Sequence, residues 1–309
     1  VAAVPLATCA FTLAFLLIFL PYTVFHEAVS WMIQGVLWIS RQSYGILTIG
    51  HVPFLWVLLF YFMTGLWIWK KNGQNRHIRI SLAYVIMIIL IWIPMARRKS
   101  LVFLDVGQGD CFVADTKSGA IIFDGGSSSE DQVGRYRILP YMKYLGYQKI
   151  QIAVISHMDI DHYSGIKELL EMGKIKYLGL PEIPKDATMK KIIGIAKKRT
   201  TIFYLSRGRQ ITTKDGSLKV LHPQKNSQME KNAASLVMQG KILGYRVLLT
   251  GDVEKEGEEE LLSEELERAD ILKAAHHGSK NSTSNEFLQK VQPKQTVISC
   301  GKQNRYGHP

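Results

Sequence analysis

The sequence predicts an α+β fold: a two-sheet sandwich flanked by helices, preceded by transmembrane α-helices. Three observations predict it. Residues 1–99 hold eight Lys/Arg and one acid, Glu27, among long apolar runs, whereas the other 210 residues hold 30 basic and 25 acidic residues. From Leu101 onward, short β-branched runs come first and then alternate with helical patterns. Residues able to hold metal follow several of those runs directly, as they would on one rim of a sheet layer.

At 309 residues the chain suits two domains, a membrane segment over 1–99 and a soluble domain over 100–309. It starts inside an apolar run and stops at Gly307-His308-Pro309, so it is expected to be a piece of a longer protein. Cys9, Cys111 and Cys300 are too widely spaced for a disulfide framework or a zinc knuckle.

Three apolar runs approach the roughly 20 residues a span needs: Val1 to Phe25, Val52 to Trp69 and Ile80 to Ala96. The first is too long, and wrongly flanked, for a signal peptide. His26 to Arg41, with Trp31 and Trp38, has the pattern of an interfacial helix or re-entrant segment. Lys70, Lys71, Arg76 and Arg79 place the 70–79 loop in the cytoplasm, while the 26–51 loop has Arg41 alone. The third span then delivers the soluble domain to the external face of the cell membrane. Arg97-Arg98-Lys99 suits lipid headgroups or phosphates.

In the soluble part, strands are expected at Leu101 to Val106, Cys111 to Asp115 and Ala120 to Phe123, the last ending in Asp124-Gly125-Gly126. A helix follows at Tyr136 to Leu145, then a buried strand at Ile150 to Ile155. Next come a helix at Met189 to Lys198 and strands at Thr201 to Leu205, Leu218 to His222, Ala233 to Gln239 and Tyr245 to Leu249. An acidic helix (Glu256 to Glu267), a strand (Ile271 to Ala275), a helix (Asn285 to Val291) and a strand (Thr296 to Ser299) close the chain.

The chemistry concentrates in Ser156-His157-Met158-Asp159-Ile160-Asp161-His162, a tight turn between a strand and a helix that His162 opens. Alternate positions 157, 159 and 161 point one way, giving with His162 up to four metal ligands within six residues. Asp124, Asp252 and His276-His277 also follow apolar strands, so they converge with this cluster on one cleft. In the Asp105 to Asp110 turn, Gly107-x-Gly109 reads as a tight hairpin turn capped by Asp105, with Asp110 a supporting residue for the site.

The cluster resembles the His-x-His-x-Asp-His signature of the metallo-β-lactamase superfamily, with Asp159 in place of the second His. That carboxylate hardens the site and shifts its preference from Zn²⁺ toward Mn²⁺ or Mg²⁺. The resemblance implies an αββα sandwich and two divalent ions. It implies His157 and Asp159 on one ion, Asp161 and His162 on the other with either His276 or His277, a bridging Asp252, and Asp124 orienting a ligand or the nucleophile. The superfamily's middle His is missing. His222, followed by Pro223, reads as a strand-end residue, and Asn232 and Ser235 stand near the missing ligand's place.

Phe103 to Asp110, the His-x-Asp-x-Asp-His cluster, Asn232-x-x-Ser235, His276-His277-Gly278-Ser279 and Asn304 to Pro309 occur together. The set is similar to the ComEC family of bacterial competence proteins. That similarity implies DNA uptake during natural transformation, with a nuclease domain degrading the strand that is not transported and other competence proteins as partners. Two ions about 3.5–4 Å apart suit phosphodiester hydrolysis. Ser279 and its polar loop, Asn232, Ser235 and Arg305 suit phosphate contacts, and His308 suits protonation of the leaving oxygen. The basic clusters at 190–191, 197–199 and 207–209 suit either a single DNA strand's backbone or a solvated face. Competing readings are an external metallohydrolase of another substrate and a DNA-guiding module with a degenerate metal site.

Overall fold

The computed structural model describes residues 30, 31, 33, 34, 48, 50–69, 82, 85, 99–302, 304 and 307–309. The chain forms two compact units, Val1–Thr48 and Ile49–Pro309. In the first, Ser30, Trp31, Ile33 and Gln34 are helical and exposed, on the expected interfacial segment. The expected spans at 1–25 and 80–96 lie outside the described residues, apart from 82 and 85. The second expected span contains helix α1 (Phe54–Trp69), 16 residues long. Among the described residues no helix is long and apolar enough to cross a membrane.

From Leu101 onward the chain forms a four-layer sandwich. One sheet runs in the order β1 (Leu101–Phe103), β2 (Phe112–Thr116), β3 (Gly119–Phe123), β4 (Ile150–Val154), β5 (Ile175–Pro181), β6 (Thr201–Leu205). The other runs β12 (Gln295–Val297), β11 (Ile271–Lys273), β10 (Tyr245–Leu249), β9 (Val237–Ile242), β8 (Gly216–His222), β7 (Gln210–Thr213). Each sheet changes from antiparallel to parallel pairing, at β3 in the first and at β10 in the second. The parallel strands connect through helices on the outer faces: α2 (Leu139–Tyr144, entered by a wide turn over Gly134–Ile138), α3 (Ile160–Glu171), α4 (Ala187–Ala196), α5 (Lys255–Leu262) and α6 (Asn285–Val291).

Side-chain alternation builds the layers. Phe112 and Ala114 of β2, with Ile121 and Phe123 of β3, face Val220, Met238, Val247 and Leu249 of the other sheet. Their neighbours Val113, Ala120 and Ile122 turn outward onto Ile138, Met142, Ile166 and Leu169. On the far side, Val237, Leu248 and Leu272 pack against Leu261, Phe287 and Val291.

Most expected elements stand within a few residues of their predicted bounds, with clear differences. β5 is a strand the sequence reading omits: it is buried along most of its length, so alternation is absent, and Gly179 and Pro181 weaken its strand pattern. β7 is also omitted, having Ile211 as its one apolar residue. The expected strand at Ala233 begins instead at Val237, because the Leu236 N–H bonds the Ser156 carbonyl and the Ser235 hydroxyl serves Asp252.

Two glycines explain how the site's loops meet. A Cβ on Gly109 would lie 2.2 Å from the Gly126 carbonyl oxygen, and one on Gly126 would lie 2.5 Å from the His162 nitrogen. The Gly-x-Gly and Gly-Gly turns therefore let three backbone segments touch beneath the cluster. In the outer turn Asp105 accepts from the Gly107 N–H at 3.0 Å, as expected of a turn cap.

Candidate metal centre

The site lies where β3 and β4 of one sheet and β10 and β11 of the other end. Asp124 follows β3, the 157–162 cluster follows β4, Asp252 follows β10, and His277 lies in the turn Ala275–Gly278 after β11. Asp124, His276 and His277 hold left-handed backbone, with φ of 59°, 47° and 53°. Such strain in non-glycine residues is kept where the surroundings enforce it.

Asp110, His162, Asp252 and His277 are all buried, and each brings one donor atom within 4.8 Å of the others. His162 Nε2 stands 3.1 Å from Asp252 Oδ2, and His277 Nε2 stands 3.3 Å from the same oxygen. Asp161 Oδ2 joins them at 3.4 Å from His277 Nε2. Around an ion with bonds of about 2.0–2.2 Å, neighbouring donors lie about 3.0–3.5 Å apart. The buried Nε2 atoms of His157, His162 and His277 make no hydrogen bond of acceptable geometry. Facing imidazole nitrogens and carboxylates at these separations, with unsatisfied nitrogens, fit a divalent cation.

The outer contacts fix which nitrogen faces inward. Asp124 Oδ2 holds His162 Nδ1 at 2.9 Å, and its Oδ1 accepts from the Ser156 N–H at 2.7 Å. His277 Nδ1 meets the Ser299 carbonyl at 2.8 Å, so Nδ1 carries a proton and Nε2 is the nitrogen that faces the centre. His157 Nδ1 pairs with the Ser156 hydroxyl at 3.0 Å, and its Nε2 stands 3.3 Å from Asp159 Oδ2. Asp159 is the N-cap position of α3 and gives its other oxygen to Lys231 at the surface.

Of the two late histidines, His277 belongs to the cluster. His276 turns away, its Nδ1 3.0 Å from Glu254, which also accepts from Asn232 Nδ2 at 3.3 Å. The Ser235 hydroxyl accepts from the Asp252 N–H at 3.3 Å and so positions that loop. His222 ends β8 away from the centre, with its ring between Glu260 and the Ala233 carbonyl. Ser279 accepts from the Asn281 N–H and closes a turn. Arg305 lies outside the described residues. A cleft of about 260 Å³ opens over the cluster, lined by Gln108, Ser128, Ile160, His276 and His308 beside Asp159, Asp161, Asp252 and His277.

One contributor has a closer part than the sequence suggests, and another is not expected from it at all. Asp110 stands in the cluster itself rather than behind it. Lys273, the last residue of β11, is buried with its ammonium against Asp110, 3.3 Å from Asp252 Oδ1 and 2.8 Å from the Gly251 carbonyl. The available signal was a lysine interrupting the apolar run Ile271 to Ala275. In the basic cluster at 207–209, Arg207 binds Glu260 and Glu264 of the acidic segment, and Arg209 is exposed.

The charges are strongly interdependent. Burial opposes a charge on His162, but Asp252 and Asp124 outweigh it and hold its pKa well above that of free histidine. His277 is likewise opposed by burial, and Asp161 and Asp252 raise it to about 9. Burial would raise the Asp252 carboxyl, yet His162 and Lys273 hold it well below its usual value. Lys273 is opposed by burial too, and Asp110 and Asp252 keep its ammonium charged. This acidic set draws positive charge onto itself, the condition a bound cation satisfies.

Residues 104–302 match the family described as the metallo-beta-lactamase superfamily. The chain is 33% identical over 261 residues to ComE operon protein 3 of Bacillus subtilis, covering 78% of this chain and 33% of that protein. It is 30% identical over 212 residues to Competence protein ComA of Neisseria gonorrhoeae, covering 66% of this chain and 27% of that protein. It is 30% identical over 243 residues to Recombination protein 2 of Haemophilus influenzae, covering 77% and 29%. The chain thus spans a third or less of the length of these relatives.

Proposed function

This chain belongs to the metallo-β-lactamase superfamily, and from that premise we propose that it is a membrane-anchored, metal-dependent phosphodiesterase acting on DNA during its uptake by competent cells. The observation that carries the hydrolase reading is the meeting of Asp161, His162, Asp252 and His277 around unsatisfied imidazole nitrogens. Likeness to proteins named for competence and recombination supports DNA as substrate and transformation as the setting. The apolar stretches before residue 99 support anchoring.

In this reading Asp161, His162, Asp252 and His277 hold a divalent ion, with His157 and Asp159 beside them as the place for a second. Mn²⁺ suits the carboxylate-rich set best, and Zn²⁺ is the alternative. When bound, such ions make a water nucleophilic near neutral pH and neutralise charge on the phosphoryl oxygens. The chain's own residues orient and exchange protons. Asp124 and the Ser299 carbonyl keep two imidazoles turned inward. Asp110 and Lys273 set the Asp252 carboxylate. His308 stands at the cleft, its ring 5.7 Å from His276 and 6.0 Å from His277. Burial, with His277 and His276 adding to it, lowers its pKa. An anionic phosphodiester acts in the opposite sense, so binding of substrate recharges the ring that protonates the leaving oxygen.

The test is hydrolysis of labelled single- and double-stranded DNA by the purified chain, with a β-lactam and a lactone in parallel. Mn²⁺, Mg²⁺ and Zn²⁺ are compared, with Asp161→Ala and Asp252→Ala as controls. DNA cleavage that needs metal and disappears in both variants supports the proposal. Turnover of the lactam or lactone without DNA cleavage replaces it with another hydrolase, and metal-independent DNA binding without cleavage replaces it with a guiding module.

A further inference from the structure

The sandwich has two chemically opposite ends. The metal centre occupies the C-terminal ends of β3, β4, β10 and β11. The N-terminal ends of β3 to β6 lie at the other end, because these strands pair in parallel. Five residues of β4 separate the two, about 17 Å at about 3.3 Å per residue.

The chain arrives twice at this far end. Lys99, three residues beyond the apolar stretch that ends at Ala96, gives its ammonium to the buried Asp115 at 2.9 Å and to the Tyr147 hydroxyl at 3.1 Å. On the upstream side of that stretch, the His51 N–H donates to the Tyr144 carbonyl at 2.8 Å, and the two rings lie 5.0 Å apart. Residues 51 and 99 bracket both predicted spans at 52–69 and 80–96, and both dock on residues 144–147. The turns of the same end expose Lys117, Lys149, Lys197, Lys198, Arg199 and Lys214. Two acids of this end are covered by cations: Asp215 by Lys117, and Asp270, just before β11, by Lys294 and Arg246. The opposite end gathers Asp110, Asp161, Asp252 and Glu254, with Lys273 buried among them and Lys231 on Asp159 at the surface.

We propose that this basic end is seated on an anionic lipid surface, so that the metal cleft opens away from the bilayer; this rests on the membrane anchoring proposed above. A phosphate-rich surface is the complement of the exposed lysines, and lipid headgroups are the source that the docked ends of the apolar stretch bring to them. The cluster at 197–199 therefore binds lipid and stands a strand's length from any substrate in the cleft.

The test uses the full chain reconstituted in vesicles, with Cys9→Ser and Cys300→Ser so that one introduced cysteine carries the dye; Cys111 is buried. Lys149→Cys reports the basic end. Ile298→Cys, just past β12, reports the cleft end. With quencher-bearing phosphatidylglycerol, quenching at 149 is expected to exceed that at 298 by about fivefold or more. The excess should collapse in phosphatidylcholine, and in Lys197→Glu/Lys198→Glu/Arg199→Glu. Equal or stronger quenching at 298 overturns the seating, as does an excess that ignores lipid charge. A response of the 149 dye to added DNA, with none to phosphatidylglycerol, reassigns the basic end to nucleic acid. Flotation of the same vesicles reads anchoring separately: a chain that does not float with them overturns anchoring and the seating with it.

Discussion

Removing the Lys273 ammonium would leave Asp110 and Asp252 facing each other in a buried site without a counter-charge. Lys273→Met is therefore expected to destabilise the metal-free chain by about 3–5 kcal/mol. Denaturant unfolding should show a smaller loss once Mn²⁺ is added, since the ion replaces part of the missing charge. Asp124→Asn acts through orientation: it weakens the hold on His162 Nδ1, and metal affinity measured by calorimetry should fall about 10–100-fold. The histidines give a pH dependence with a definite sign. His277 titrates at about 9 in the folded chain, against about 6.5 for free histidine. Below about pH 9 it carries a proton that a metal must displace, so affinity should climb as pH rises toward 9, by up to about tenfold per unit for each proton released. Metal-free stability should move the opposite way. The imidazolium–carboxylate contribution is fully present below pH 6.5 and is lost as pH rises through 9, a fall that melting temperatures would reveal. The sequence makes His157, His162 and Asp252 legible because each follows an apolar run directly. It offers Asp110 only as a supporting residue and hides Lys273, because their meeting depends on how one sheet is laid upon the other.

At the scale of elements, α3 carries the site because its first turn rests on two glycine loops. Gly126→Ala would push a methyl group to 2.5 Å from Asp161 and His162 backbone atoms. It should destabilise the fold by about 1–3 kcal/mol and loosen metal binding together with it. Gly194 of α4 is the contrasting position, with open space around its would-be Cβ. Gly194→Ala should stabilise by about 0.5–1 kcal/mol and leave metal affinity unchanged, as paired unfolding and binding measurements would test. Strands such as β10 and the helix α6 were legible to the residue, since apolar runs or caps bound them. β5 and β7 were not. A strand buried on both faces loses the alternation that identifies it, and one carrying a single apolar residue never shows it.

The whole molecule joins a sandwich whose two rims differ in charge to a stretch rich in apolar residues. The order of the two parts is plain in composition alone, since residues 1–99 carry a single acid. Which rim faces which partner is not, because strand direction within the sheets decides it. On the proposed function, DNA hydrolysis depends on a divalent metal held by Asp161, His162, Asp252 and His277. Its most direct measurement is the single-turnover cleavage rate of a labelled DNA strand, followed as metal-free chain is titrated with Mn²⁺ while bound metal is counted. The expected rate is zero without metal and rises with occupancy. In Asp252→Asn both occupancy and rate should fall at the same metal concentration. A folded chain with metal at this site and no cleavage of either single- or double-stranded DNA would contradict it.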